Sequence, residues 1–352
     1  MRRVSLNNND KTQNTLSTES YDYTLPPELI AARPADPRES ARLMVIDRKK
    51  GTITHTIFKE ILSFIPDGCG VIYNDTKVIK ARLYGKKASG GRVELLINRE
   101  LDRGSFNVLI RGRVKAGSSL IFDEKLKADV VELCEDGSRV VTFFDDEKEA
   151  LTLEELLPHL ERLGHMPLPP YIGREDTEED EKQYQPVFAR HEGAVAAPTA
   201  SLHFSEALFS RMHERFETVP ITLHVGAGTF KPVEAENITD HPMHSEYYRI
   251  PSKTLQMIDS EKEILAIGTT VARTVEYYAR TARASGTCDL FLHPGNPPVR
   301  VDHLLTNFHL PKSTLIMLVA SFLGLNETLK VYNEAIKKRY RFYSYGDAML
   351  IL

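Results

Sequence analysis

The feature that most constrains the fold is a change of pattern at Lys77. From there to residue 145, strand-like runs recur about every ten residues, separated by turns rich in Gly, Asp and Ser. Short strands at this spacing predict a small antiparallel barrel or sandwich. We therefore predict that residues 77–151 form a separate β domain that interrupts the chain.

The segments on either side of this insertion have a different pattern. Residues 21–76 contain short apolar strands, and from Ala194 onward strands alternate with helices of about ten to fifteen residues. This alternation predicts an α/β domain with a mainly parallel sheet, built from residues 21–76 and 152–352. A chain of 352 residues is long enough for two such domains.

The N-terminus and the apolar segments indicate where the protein resides. Residues 1–20 are polar and lack the apolar core of a secretory signal, so we predict a disordered leader. The longest apolar run, residues 315–323, is too short to span a bilayer. Cys69, Cys134 and Cys288 are far apart, as is typical of reduced thiols. These features predict a cytoplasmic protein that does not enter a membrane.

Positive charge is concentrated in the predicted β domain. The whole chain has a net charge of -4, but residues 77–115 carry eleven Lys and Arg against three acidic residues. A solvated β surface is one interpretation, and a face that binds a nucleic-acid backbone is the other. The candidate nucleic-acid contacts are Lys86, Lys87, Arg92 and Arg111.

Titratable side chains cluster in residues 221–248, which hold three of the 12 histidines. The candidates for a reaction centre in this stretch are His224, Gly226, Gly228, Thr229, His241, His244 and Glu246. The two glycines follow a strand, but Lys231 replaces the third glycine of a dinucleotide fingerprint. Their remaining interpretations are a tight turn or a loop that lets a ligand approach the backbone.

A metal site is an alternative for His241, His244 and Glu246. Their spacing differs from that of H-E-x-x-H, and no cysteine lies nearby. Acid/base chemistry or substrate hydrogen bonding therefore suits these side chains better, and we expect no metal.

Two further segments carry polar residues beside apolar ones. Gly268, Thr269 and Thr270 open a predicted helix, where they favour an anion or simply cap the helix, and Arg273 follows one turn later. Asn307 and His309 lie in an apolar loop before another helix. Residues 339–347 interleave basic and aromatic side chains, which can stack on bases or close the fold.

Taken together and in this order, the motifs resemble the S-adenosylmethionine:tRNA ribosyltransferase-isomerase family of queuosine biosynthesis. The resemblance covers nearly all of residues 21–352, and the matching segments are LMVIDRKKGTITH, NDTKVIKARLYG, GRVELL, GHMPLPPYI, GAVAAPTASLHF, TLHVGAGTFKPV, HPMHSEYY, AIGTTVARTVE, TNFHLPKSTLIMLVASFLG and YRFYSYGDAMLIL. The family usually has Gly at the position of Ser201 and Thr at that of Ser205, and its Pro-Gly loop usually continues with an aromatic residue where Asn296 stands.

The resemblance implies a fold and a reaction. The fold is an α/β domain interrupted by a small β-barrel. In the reaction, S-adenosylmethionine gives its ribosyl part to 7-aminomethyl-7-deazaguanine at the wobble position of a tRNA. The product is epoxyqueuosine in tRNA, and adenine and methionine are released. The family needs no metal or other cofactor, and we expect a monomer.

The resemblance also suggests roles for the candidate residues. We expect His203, His224, His244 and His309 to supply acid/base chemistry and substrate contacts, without an assignment of each. The methionyl carboxylate suits the helix start at residues 268–270. Anticodon bases would contact Asn307, Phe342 and Tyr345.

Three rival functions remain open at this point. A methyltransferase would release S-adenosylhomocysteine, and its usual Gly-rich signature is missing. A metal-dependent hydrolase would use His241, His244 and Glu246. A non-catalytic tRNA-binding module would explain the basic strands but not the histidine-rich loops.

Overall fold

The computed structural model describes residues 14–102, 104–230 and 233–352. Its largest element is a nine-stranded sheet with the strand order β15-β13-β12-β3-β14-β16-β17-β1-β2. These strands are β1 Arg42–Asp47, β2 Thr52–Ile57, β3 Gly70–Asn74, β12 Thr218–Leu223, β13 Glu246–Arg249, β14 Ile264–Ile267, β15 Ser285–Cys288, β16 His303–Asn307 and β17 Ala348–Ile351. A separate parallel pair joins β4 Thr76–Val78 to β11 His191–Ala194.

The inserted β domain is a closed antiparallel barrel with the order β10-β7-β6-β5-β8-β9. Its strands are β5 Arg82–Lys87, β6 Arg92–Glu100, β7 Phe106–Arg111, β8 Ser119–Ile121, β9 Lys127–Leu133 and β10 Arg139–Phe144. Alternate residues such as Val93, Leu95 and Ile97 face a buried barrel core. Closure leaves the barrel without an unpaired edge strand.

Helices cover both faces of the large sheet. These are α3 Glu206–Arg215 on one face and α4 Ser252–Ile258, α5 Thr269–Thr281, α6 Thr314–Leu323 and α7 Leu325–Lys337 on the other. Helix α1 Leu153–Leu163 packs on the barrel core instead, and α2 is Glu178–Gln183. Strand β1 shows why two layers are needed, since Met44 and Ile46 pack on the side of α4 to α7 and Leu43 and Val45 on the side of α3. A strand buried on both faces requires cover on both sides.

Side-chain caps fix the starts of helices α3 and α6. The Ser205 hydroxyl accepts a hydrogen bond from the Leu208 amide at 3.1 Å, and the Ser313 hydroxyl accepts one from Ile316 at 3.3 Å. Such caps satisfy amides that have no partner inside the helix. Ser313 matters for the site because it fixes the loop that contains His309.

The predicted α/β fold with an inserted antiparallel barrel is confirmed, with one difference. The sheet is mixed: β12, β3, β14 and β16 run parallel in its centre, but β17 pairs with β16 antiparallel. Antiparallel strands β2, β13 and β15 extend both edges. The predicted domain boundaries at 76/77 and 151/152 remain predictions, and the barrel strands lie inside them.

The described part of the predicted leader, residues 14–20, is ordered. A 3₁₀ turn spans Thr18–Tyr21, and the Thr18 hydroxyl donates a hydrogen bond to the Ala235 carbonyl at 2.6 Å. The Tyr21 carbonyl accepts one from the Lys312 amide at 3.1 Å. The polar composition of this segment did not predict its ordered structure, because that structure depends on contacts with distant loops. Residues 1–13 of the predicted leader lie outside the described residues.

No single helix among the described residues has the length and apolar composition to cross a membrane. Helices α6 and α7 meet that criterion only when counted together, and they are bent by 112° relative to each other.

Candidate active site

A cavity of about 230 Å³ opens at the C-terminal ends of β14 and β16. Its polar lining includes Thr306, Asn307, His309 and Ser344, and Ala196 and Leu315 are among the apolar side chains. The adjacent ends of parallel strands are where open α/β sheets commonly bind ligands. The fold therefore brings segments that are far apart in sequence to one place.

The start of helix α5 forms one wall of this cavity. Gly268 has a φ of 95°, a conformation that side chains other than glycine rarely adopt, and its amide donates to the Leu305 carbonyl at 2.8 Å. Thr269 and Thr270 follow it and also line the cavity. Since the first amides of a helix lack partners within the helix, this wall suits an anionic group.

His309 lies on the cavity wall as a neutral imidazole. Its Nε2 is 2.8 Å from the Thr306 hydroxyl, and its Nδ1 has no hydrogen-bond partner among the described residues. The Tyr23 hydroxyl donates to its carbonyl, and its amide donates to the Tyr332 hydroxyl oxygen at 3.1 Å. Burial lowers the pKa of His309 to about 3, so the ring stays uncharged at neutral pH.

His203 lies behind the cavity and orients Asn307. The Asn307 amide nitrogen donates to the carbonyls of Tyr343 at 2.9 Å and Ser344 at 3.2 Å. Its Oδ1 therefore faces His203 Nε2 at 3.2 Å, so that this nitrogen must carry the proton. Burial lowers the pKa of His203 to about 4, which keeps the ring neutral. His203 is thus placed to position Asn307 and does not line the cavity.

A second, smaller chamber of about 20 Å³ lies on the other side of the α5 start. It shares Thr269, Thr270 and Leu315 with the large cavity, and its lining includes the titratable side chains of His244, Glu246 and Arg273. We call these two spaces the small chamber and the large cavity. The first turn of α5 separates them.

The small chamber holds a buried ion pair. Arg273 Nη1 is 2.6 Å from Glu246 Oε2, and Glu246 Oε1 accepts the Gly226 amide at 3.2 Å. Burial is the largest influence on Glu246 and opposes its ionisation, but Arg273, His244 and the Gly226 amide together outweigh it, so the pKa of Glu246 falls below its usual value. His244 Nε2 is 3.5 Å from Glu246 Oε1, an ion-pair distance without hydrogen-bond geometry.

A family model described as "Queuosine biosynthesis protein" matches residues 18–351. The chain belongs to this family. A relative from Nitratiruptor sp., named S-adenosylmethionine:tRNA ribosyltransferase-isomerase, is 62% identical over 337 residues, which cover 96% of this chain and 99% of the relative. A relative of the same name from Campylobacter jejuni is 58% identical, with coverage of 96% and 99%.

A solved structure shows the same relationship. The crystal structure of S-adenosylmethionine tRNA ribosyltransferase from Thermotoga maritima is 34% identical in sequence, with a TM-score of 0.52. The match covers 95% of this chain and 100% of that one. The resemblance inferred from the motifs is therefore confirmed.

The two glycines of the histidine-rich loop, Gly226 and Gly228, are closely surrounded by protein groups. A Cβ at Gly226 would lie 3.1 Å from Asn98 Oδ1, and one at Gly228 would lie 3.0 Å from the His244 ring. These close contacts with protein groups favour the tight-packing interpretation of the glycines over a loop that leaves room for a ligand. The glycines let the loop pack between the barrel and His244. The prediction for the Thr229 side chain lies outside the described structure.

A chain of hydrogen bonds ties this loop to the barrel. The Ala227 amide donates to Asn98 Oδ1 at 2.9 Å, and Asn98 donates to Asn107, which donates to Ser138, at 2.9 and 2.7 Å. The pairing of β6 with β7 shifts register between Ile97 and Arg99, so Asn98 lies in a bulge. Bulges redirect side chains, and this one directs an amide at the loop beside the small chamber.

Two of the histidines predicted to be site residues, His224 and His241, line neither the small chamber nor the large cavity. His224 Nδ1 is 2.8 Å from the Thr76 hydroxyl, and burial, with a smaller effect of His191, lowers the pKa of His224 to about 4. His241 lies near Phe291, with 6.4 Å between ring centroids, and burial lowers its pKa as well. The rings of His224 and His241 therefore lie outside the small chamber, although both residues are near His244 in the sequence.

Tyr345 does not reach the large cavity either. Its side chain is 2% exposed, its hydroxyl donates to Asp180 at 3.0 Å, and its ring contacts Tyr184. A ring enclosed in this way does not fit the predicted base contact, and Phe342 is likewise buried in the core. The cavity is lined instead by Tyr343, two residues away, which has a φ of 75°. The alternation of basic and aromatic residues indicates this segment but not which of its residues faces the site.

The predicted nucleic-acid residues lie on the barrel. Lys86 and Arg92 are exposed and directly opposite each other on β5 and β6. Arg111 is exposed and 3.3 Å from Glu94. Lys87 is partly buried, and its ammonium donates to the Arg113 carbonyl at 3.0 Å. The first three are therefore better placed than Lys87 to contact a partner.

Among the residues that the structure describes, no group of three or more His, Cys, Asp or Glu side chains is arranged to hold a metal ion. His244 and Glu246 are near each other, but Arg273, which pairs with Glu246, is not a metal ligand.

Proposed function

We propose that the protein transfers and isomerises the ribosyl group of S-adenosylmethionine onto 7-aminomethyl-7-deazaguanine at the tRNA wobble position. The products are epoxyqueuosine-tRNA, adenine and methionine. The observation that carries this proposal is the 62% identity, over 99% of its length, to a relative named for this activity. The large cavity adds support because the histidine, asparagine and helix-start motifs of the family converge there.

The surroundings of His244 and His309 favour His244 as the base that accepts the ribose proton. The positive sulfur of the donor acidifies the adjacent ribose methylene, and a neutral imidazole can accept that proton. The imidazolium that forms needs a nearby negative charge, which Glu246 supplies at 3.5 Å from His244. Among the described residues, no carboxylate forms an ion pair with His309, so we assign His309 to substrate hydrogen bonding.

The proton taken by His244 balances the departure of adenine. Breaking the glycosidic bond leaves negative charge on adenine, and protonation of an adenine nitrogen neutralises it. When His244 delivers the proton, directly or through water, the enzyme returns to its starting state. Breaking the carbon–sulfur bond releases methionine with a neutral thioether.

The remaining residues bind the substrates. The methionyl carboxylate suits the amides at residues 268–270. Asn307, held by His203, presents a fixed amide for the edge of the deazaguanine. Lys86, Arg92 and Arg111 contact tRNA phosphates. We further propose that the protein acts as a cytoplasmic monomer and uses no metal or other cofactor.

The deciding experiment incubates the protein with S-adenosylmethionine and tRNA that carries the aminomethyl base. We expect free adenine and methionine in equal amounts, and only with that base present. Unmodified tRNA is the matched control. Release of S-adenosylhomocysteine would identify a methyltransferase instead, and activity lost with a chelator and restored by a metal would contradict the metal-free reaction.

A further inference from the structure

An aromatic pair lies at the edge of the basic barrel face. The Tyr84 side chain is 44% exposed, and its ring meets that of His165 edge-on, with 5.0 Å between centroids. The His165 backbone pairs with Arg82 of β5, and its Nδ1 is 3.0 Å from Asp176 Oδ1. These contacts fix the His165 ring beside Tyr84 while both side chains remain accessible to solvent.

Free cations adjoin this pair. Lys86 lies two residues beyond Tyr84, hence on the same face of β5, and Arg92 is its partner on β6. Lys86 and Arg92 form no ion pair among the described residues. Glu94, which is opposite Tyr84, is already neutralised by Arg82 and Arg111, each at 3.3 Å. Lys86 and Arg92 are therefore available to an anionic partner.

The same pair is connected to the large cavity by a short segment. Residues 165–171 lead from His165 to Tyr171, whose ring centroid is 3.7 Å from that of Tyr343. The Tyr171 hydroxyl also contacts Ser344, and both Tyr343 and Ser344 line the cavity. Six residue steps span at most about 22 Å. Only a few nucleotides are needed to cover that distance.

We propose that Tyr84 and His165 form a stacking platform for an unpaired base of the tRNA, close to the nucleotide that enters the large cavity. This inference rests on the proposed function and names a recognition element for its RNA substrate. Single-stranded RNA is bound by aromatic rings that stack on splayed bases, beside cations that contact phosphates. Tyr84 and His165 provide the rings, and Lys86 and Arg92 provide the cations. Residues 165–171 connect this platform to the large cavity.

The test compares Tyr84→Ala, His165→Ala and Tyr84→Phe with Val131→Ala, which alters an exposed residue on β9 of the same barrel. Binding of the aminomethyl-bearing tRNA is measured over a range of salt concentrations. We expect Tyr84→Ala to raise the Kd at least about fivefold, as for loss of one stacked base, and His165→Ala to raise it as well. Tyr84→Phe and Val131→Ala should bind as the wild type does.

The salt dependence separates stacking from charge. Tyr84→Ala should leave the slope of log Kd against log salt unchanged, whereas each of Lys86→Ala and Arg92→Ala should reduce it by about 1. At saturating tRNA, kcat of Tyr84→Ala should remain at the wild-type level. An unchanged Kd, an equal loss in Tyr84→Phe or a changed salt slope would overturn the platform. If the wild type releases no adenine, the proposed function fails instead.

Discussion

The small chamber and the large cavity share a wall but differ in their electrostatics. Glu246 and Arg273 bring two buried charges into the small chamber next to His244. The large cavity contains His309 beside hydroxyl and amide groups, and burial keeps this ring neutral. An imidazole with a carboxylate neighbour therefore suits proton transfer, whereas a desolvated imidazole without one suits neutral hydrogen bonding.

The largest effect on activity is expected from removing His244. If it is the base, His244→Ala should lower kcat by about 10²- to 10⁴-fold, while the Kd for tRNA stays unchanged. His159→Gln is the matched control, because His159 lies on α1 and contacts Asp145 away from both spaces. Single-turnover adenine release measures the effect. Wild-type turnover in His244→Ala would move the base to another residue.

Next in size is the loss of the buried ion pair. Glu246→Ala leaves the Arg273 guanidinium without its carboxylate, and we expect a loss of about 3–5 kcal/mol in the free energy of unfolding. Denaturant unfolding measures this loss. The double variant Glu246→Leu/Arg273→Met should recover most of the stability but remain inactive. Recovery of activity in the double variant would show that the charges serve the fold alone.

A smaller effect is expected at the large cavity. Because we assign His309 to hydrogen bonding, His309→Ala should raise the KM of the substrate that it contacts by about tenfold, which corresponds to about 1.4 kcal/mol. Its kcat should fall far less than that of His244→Ala. Steady-state kinetics with each substrate varied in turn measure both constants. If instead kcat collapses in His309→Ala and not in His244→Ala, the two roles must be exchanged.

The smallest effect concerns pH and stability. The folded state lowers the pKa of His203 to about 4 and of His309 to about 3, whereas an unfolded histidine titrates near 6.5. Below pH 6.5 the unfolded state therefore binds more protons, and stability falls as the pH decreases toward 4. Each residue should contribute about 1 kcal/mol per pH unit in that window. Urea unfolding at pH 5 and 6 should show a shallower dependence in His309→Gln than in the wild type.

Local pattern was sufficient for much of the fold and for part of the site. Ser205 and Ser313 each cap the start of a helix, and an N-cap depends only on residues within one turn. Gly268, Thr270, Asn307 and His309 line one cavity, since the ends of neighbouring parallel strands meet at one edge of a sheet. The site assignments themselves remain predictions for the variants above.

Other features depended on distant contacts and were missed. The bulge that directs Asn98 at Ala227 arises from the pairing of β6 with β7 and from how the barrel docks on the loop. Tyr343 faces the cavity while Tyr345 is buried, although the two are only two residues apart. The backbone conformation at Tyr343 sets that difference, and an aromatic-rich segment does not reveal it.

By itself, the sequence determined the α/β architecture with its inserted barrel and the chemistry carried by its motifs. Strand and helix periodicity, turn residues and long ordered motifs are all properties of neighbouring residues. Only the tertiary structure decided which histidine lies beside a carboxylate and which is merely desolvated. Glu246 is two residues from His244, but Arg273, which favours its ionised form, comes from α5. The environment of a buried titratable group depends on contacts between segments that are far apart in the chain.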